Sequence, residues 1–156
     1  MIKKIEIEIT EFDTVDDLSI EDRELVLKAK EIAKLAYAPF SKFFVGAAIR
    51  LKNGKIITGN NQENVAYPSG ICAERTALFY AGAQYPQEAV LSMAVAVFKN
   101  EEYAKQPVTP CGSCRQVMLE TENRFQQSMR VIMVGEEKIY VANSVKDLLP
   151  LSFDSL

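Results

Sequence analysis

The chain of 156 residues contains no histidine. That absence excludes serine–histidine and cysteine–histidine catalysis and every imidazole metal site, whatever the fold. Cysteine is scarce as well, with three residues, two of them in Cys111-x-x-Cys114. An odd, small count disfavours a secreted disulfide framework, and a reducing cytoplasmic compartment is the expectation. No apolar run approaches the roughly 20 residues that span a bilayer, so no membrane partner is expected. Met1 to Ile9 alternates isoleucine with charge and lacks the apolar block of a secretory signal. Basic excess is missing too: the net charge is −3, which argues against a nucleic-acid track. Internal repeats, low-complexity tracts and linkers are absent. What remains is 48% hydrophobic residues, enough for one good core, and a single domain over 1–156 is expected.

Hydrophobic patterning outlines that domain. Ile5, Ile7 and Ile9 opposite Glu6 and Glu8 predict a strand over 4–9. Ser19 with Asp22 resembles a capping box for a helix over 20–37, with Leu25, Ala29, Ile32, Ala33 and Ala36 on one stripe and Pro39 beyond. Strands are expected over 43–51 and 55–58, joined at Asn53-Gly54, where both residues tolerate positive φ. The polar run Gly59 to Asn64 reads as a solvated turn or strand end. Further strands are expected over 89–98, 130–134 and 138–142, helices over 72–83 and 112–123, and a charged loop over 99–109. Ser144 can cap a short helix through Leu149. The alternation implies an α/β fold: one three-layer α/β/α domain, its mixed central sheet of about five strands covered by helices on both faces.

Cys72-Ala73-Glu74-Arg75 and Pro110-Cys111-Gly112-Ser113-Cys114 together use every cysteine in the chain. Both fall at expected helix starts, where free N–H groups and the helix dipole favour thiolate over thiol. Three thiolates with no fourth cysteine or histidine leave one position of a tetrahedral zinc ion to water, the catalytic arrangement. Glu74 is placed to take that water's proton. Three thiolates and Zn²⁺ sum to −1, and Arg75 and Arg115, each close to a cysteine, could offset this by donating hydrogen bonds to sulfur. Singly, these features have plainer readings: a redox pair, a helix-start acid, a solvated arginine. Two other classes remain open, a zinc-stabilised interaction module and a redox protein; the first leaves Glu74 without a use and the second leaves Cys72 and Glu74 unexplained.

The joint pattern of C-A-E and P-C-x-x-C carries the glutamate and cysteine pair of the zinc deaminases. Ala36-Tyr37-Ala38-Pro39-Phe40-Ser41-Lys42-Phe43, Val45-Gly46-Ala47-Ala48, Gly70 to Leu78 and Pro110 to Val117 extend the likeness. Over roughly Ala29 to Phe153 the chain resembles the cytidine deaminases, in their short, three-cysteine, homotetrameric form; residues 1–18 lie outside the resemblance as an N-terminal extension. The resemblance implies one zinc ion per subunit on Cys72, Cys111 and Cys114, Glu74 as proton shuttle, and Arg75 tempering the sulfur charge. It also implies that Asn61 and Glu63, in Asn61-Gln62-Glu63-Asn64, hold the ribose 3′-hydroxyl. Phe43 would line the nucleoside pocket, the backbone around Ala73 would read the base edge, and Phe153 would pack over the pyrimidine in a neighbouring subunit's site. Leu151 and Ser152 depart from the family's small residues there, and Phe44 stands where proline is common. The implied activity is hydrolytic deamination of cytidine, and of 2′-deoxycytidine, in pyrimidine salvage. A related deaminase of an aminonucleoside antibiotic is the alternative.

Overall fold

The computed structural model describes all 156 residues. Seven strands form one mixed sheet: β1 (Ile9–Phe12), β2 (Phe44–Leu51), β3 (Ile56–Asn60), β4 (Val90–Lys99), β5 (Glu102–Tyr103), β6 (Arg130–Val134) and β7 (Ile139–Ala142). Their order is β1-β7-β6-β4-β2-β3, with β5 folded back on the end of β4; only β4 and β6 run parallel. The helices are α1 (Ile20–Ala33), α2 (Ala73–Gln84) and α3 (Gly112–Phe125). No helix is long and apolar enough to cross a membrane.

Period-two alternation divides the strands between two cores. Met93 and Val95 of β4, with Val131 and Met133 of β6, face α2 and α3 and pack on Ala77, Leu78, Met118 and Leu119. Their neighbours Ala94, Ala96, Ile132 and Val134 face α1, against Leu25, Val26 and Ala29. Helices therefore cover both faces, as expected. The hairpin β2–β3 is squeezed between those layers. A Cβ at Gly46 would lie 2.0 Å from the Ala29 carbonyl oxygen of α1, and one at Gly59 would lie 2.6 Å from the Ala77 nitrogen of α2. Each glycine admits a helix from its own side, and Gly59 thereby seats the first turns of α2.

Several expectations require correction. The sheet has seven strands, not about five, because β1 adds an edge and two residues of the charged loop pair with β4. The N-terminal strand is Ile9–Phe12 instead of 4–9: β7 offers partners only from Ile9↔Ala142 onward, and Ile5 and Ile7 stay exposed. Helix α1 ends at Ala33, four residues short of Tyr37. Its last turn tightens through Leu35 N–H to Ile32 C=O, and Tyr37 is drawn away to pair with the chain at Gln62. The capping box is half made: Ser19 Oγ accepts from Asp22 N–H, while the buried Asp22 carboxylate turns to Arg130 at 2.8 Å. In the hairpin only Gly54 takes a positive φ, 87°.

Candidate metal centre and adjoining cavity

Both helix starts predicted to carry cysteine do so at the N-cap. Cys72 caps α2 and Cys111 caps α3 with extended backbone, and neither sulfur accepts a capping hydrogen bond from the helix it opens. Cys114, one turn into α3, is buried among core side chains. The three Sγ atoms lie within 4.8 Å of one another. Tetrahedral zinc with bonds of about 2.3 Å sets its sulfurs about 3.8 Å apart, a spacing that falls within that limit.

The charge of this cluster is answered from one side. Arg75 donates from Nη2 to Cys72 Sγ at 3.4 Å, while its buried Nε has no protein partner. A hydrogen bond from the Cys114 thiol, then Arg75, brings the Cys72 thiol down to about 5; holding that shared proton pushes Cys114 up. The arrangement thus favours negative charge on the Cys72 sulfur, the form in which a thiol binds metal. Arg115 differs from the expectation. Its Nε donates to the Pro110 carbonyl at 2.8 Å and its Nη1 to the Leu148 carbonyl at 2.7 Å, with no bond to sulfur. Two buried carbonyls without helical partners claim the guanidinium, since leaving them unpaired would be costly.

Glu74 is 4% exposed, in the first turn of α2. Burial, with the nearby Cys72 charge adding to it, raises its carboxyl above the ordinary carboxylate range. It lines a cavity of about 400 Å³ together with Cys72, Cys111, Ala73, Phe43, Asn61 and Glu63. A larger cavity of about 520 Å³ adjoins it through Cys72, Asn61, Glu63 and Ser41, and is lined by Arg75 and Tyr67 but not by Glu74. Glu74, both Cys72 and Cys111, and Phe43 converge only in the smaller one, which is the better candidate for chemistry.

The polar run after β3 is not a free solvated turn. Gln62 exchanges both backbone bonds with Ile71, and Tyr37 brackets the same segment through Asn61 C=O and Glu63 N–H. Asn61 and Glu63 are thereby carried beside Cys72. The Asn61 side chain spans the entry of β2, with Oδ1 accepting from Val45 N–H and Nδ2 donating to Phe43 C=O, both at 2.8 Å. Glu63 Oε1 accepts from Phe40 N–H at 2.9 Å and Ser41 N–H at 3.1 Å. The Ser41 hydroxyl, then these amides, lower its carboxyl below the usual value. Phe153 does not join the cavity of its own chain; it is 68% exposed, with its carbonyl held by Gln116 Nε2 at 2.7 Å. Thr109 and Val108 also line the smaller cavity and escaped the sequence reading, in which only their position just before Pro110 could have marked them.

Comparison with known proteins agrees with this geometry. The profile of the cytidine and deoxycytidylate deaminase zinc-binding region matches residues 19–129. A cytidine deaminase of Halalkalibacterium halodurans is 38% identical over 141 residues, covering 85% of this chain and 94% of its own. One from Sporosarcina psychrophila is 40% identical over 131 residues, covering 83% and 89%. The crystal structure of a cytidine deaminase from Burkholderia pseudomallei superposes with a TM-score of 0.69 at 38% identity, over 83% of this chain and 97% of that one. Cys72, Cys111 and Cys114 are positioned to hold the zinc ion for which the matched region is described.

Proposed function

The chain belongs to the cytidine and deoxycytidylate deaminase family, and from that premise we propose that it hydrolyses cytidine, and 2′-deoxycytidine, to the uridine and ammonia. The carrying observation is Glu74: a buried carboxylate two residues past Cys72, on the wall of the same cavity and outside the set of three sulfurs. A purely structural metal site has no use for such a group.

Cys72, Cys111 and Cys114 would hold the zinc ion, which would supply Lewis acidity to the attacking water. Glu74 takes that water's proton and delivers it to N3 of the pyrimidine, which makes C4 electrophilic. The water oxygen becomes bonded to C4, the C4–N4 bond breaks, and Glu74 carries the second proton to the departing amine. Arg75 balances thiolate charge. Phe43 supports the nucleoside from the cavity wall, and Ala73 backbone reads the base edge. Asn61 and Glu63 take the ribose 3′-hydroxyl; a carbonyl oxygen has two lone pairs, so Asn61 Oδ1 can serve both Val45 and a ligand. A carboxylate there favours a hydroxyl over a phosphate.

Phe153, exposed and outside its own cavity, packs over the base in a neighbouring subunit of a homotetramer. Exposed Val65 and Tyr67 are further apolar surface for such contacts. Thiols this close must stay reduced to bind metal, which fits the cytoplasm and a role in pyrimidine salvage. Metal-quantified protein is incubated with cytidine, CMP and single-stranded DNA in parallel, following ultraviolet loss of the cytosine chromophore. Turnover of cytidine is expected; turnover of CMP with none of cytidine overturns the assignment. Light scattering that reports a monomer removes the shared-site role of Phe153.

A further inference from the structure

The C-terminal segment beyond β7 has little structure of its own, a single 3₁₀ turn at Val145–Asp147. Helix α3 grips it along its length. Near the helix end, buried Glu122 accepts from Ser144 Oγ at 2.6 Å through Oε1, and from Val145 N–H at 2.9 Å and Met129 N–H at 3.0 Å through Oε2. At the helix start, Arg115 Nη1 donates to the Leu148 carbonyl, at the other end of that turn. The same guanidinium donates from Nε to Pro110 C=O, the peptide that leads into Cys111. The Cys111 side chain makes no capping hydrogen bond to the free N–H groups of α3, and Arg115 is a side-chain tie from the ligand loop to the C-terminal segment.

We propose that Arg115 is a positioning residue that locks the Pro110–Cys111 loop to the C-terminal segment, so that Cys111 keeps its place only while Glu122 holds the 144–148 turn. Two bonds from one rigid, planar fork fix a distance and an angle between the two carbonyls, which a single-point ammonium cannot do. The proposal rests on Cys111 being a metal ligand, and a Cys111→Ala variant tests that separately: if it retains full zinc, the ligand reading fails, whatever Arg115 does.

The direct test is the rate at which zinc-loaded protein releases metal to a chromogenic chelator, with the thiolate charge-transfer spectrum of the cobalt(II) form as a second readout. Removing hydrogen-bonding groups around a metal site typically costs about 10–100-fold in affinity, and Arg115→Met is expected to release zinc about tenfold faster with an altered cobalt spectrum. Arg115→Lys, which keeps charge and bulk, is expected to hold the parental Tm and still release zinc faster. It carries the test alone if the Met variant does not fold. Gln116→Leu, which loosens only the Phe153 tie, is expected to release zinc at the parental rate. Glu122→Gln is expected to speed release although it touches no ligand, and to add nothing in the Arg115→Met background. The proposal is overturned by parental release from both Arg115 variants, by full rescue with Lys, by equal acceleration in Gln116→Leu, or by independent effects of Arg115 and Glu122.

Discussion

At the start of α2, Cys72 sits at the N-cap and Arg75 turns Nη2 toward its sulfur; at the start of α3, Cys111 sits at the N-cap and Arg115 turns away from sulfur to two carbonyls. The two starts meet the same chemical need, a thiolate in the field of free N–H groups, but are held by different means. The start of α2 is set by the sheet: its Ala73 and Ala77 backbone lies against Gly59, with no room for a methyl group between them. The start of α3 packs through Cys114 and is tied to its surroundings by its own Arg115 side chain, which reaches the Pro110 and Leu148 carbonyls. One ligand therefore depends on close backbone packing and another on directional hydrogen bonds. Only the α2 start also carries an acid into the cavity.

The largest expected effect comes from removing what the two starts share. Cys114→Ala should copurify without zinc, show no turnover and unfold at lower temperature, since metal binding and folding are linked; full metal content would remove Cys114 from the ligand set. Next is the chemistry unique to α2. Glu74→Gln should keep zinc and Tm while kcat falls by about 10²–10⁴, and unimpaired turnover would take Glu74 out of the mechanism. Breaking the packing support comes third. Gly59→Ala forces a methyl into backbone 2.6 Å away and should cost about 1–3 kcal/mol in chemical denaturation, with activity falling as the cap of α2 is displaced. A parental unfolding midpoint would mean the close approach is not what seats α2.

The smallest effect is a pH dependence. The Glu63 carboxyl titrates below its ordinary value of 4.5 in the folded chain. A lowered folded value contributes stability that is present above 4.5 and lost as pH falls through the folded pKa. Glu63→Gln should therefore unfold with a shallower acid-side decline than the parent, by a small margin because the group is only half-buried and solvent screens it. Superimposable pH–Tm curves would show that the Phe40 and Ser41 amides do not hold the carboxylate.

Most of this architecture was legible where burial imposes a period. Continuous apolar runs located β4 and β6, and the apolar stripe of α1 marked Leu25 and Ala29 for the face that packs on the sheet. The failures lie where a partner decides. Nothing in Ile5, Ile7 and Ile9 says that β7 begins to pair only at Ile9. Nothing local tells that Tyr37 will leave α1 to join Gln62, or that Glu102–Tyr103 will pair with β4. The site divides the same way. Cys111 with Cys114, and Cys72 with Glu74, were marked by spacings within one helix turn, and the structure brings the three sulfurs together and sets Glu74 on the wall of the same cavity. Arg115 was assigned to sulfur because it is adjacent in sequence. Its acceptors are buried carbonyls, one of them thirty-three residues downstream.

The geometry of the sulfurs has a thermodynamic side. Cys72 and Cys111 stand at opposite ends of a stretch that contains all of α2, all of β4 and the loop through β5. An ion bonded to both closes a ring of roughly 40 residues, and in the chain-entropy treatment of cross-links such a ring removes about 4 kcal/mol of freedom from the unfolded chain. In a protein without disulfides this is a reversible staple: one that a chelator can withdraw and a trace of metal can replace. Starvation for zinc would then shorten the life of the protein as well as silence it.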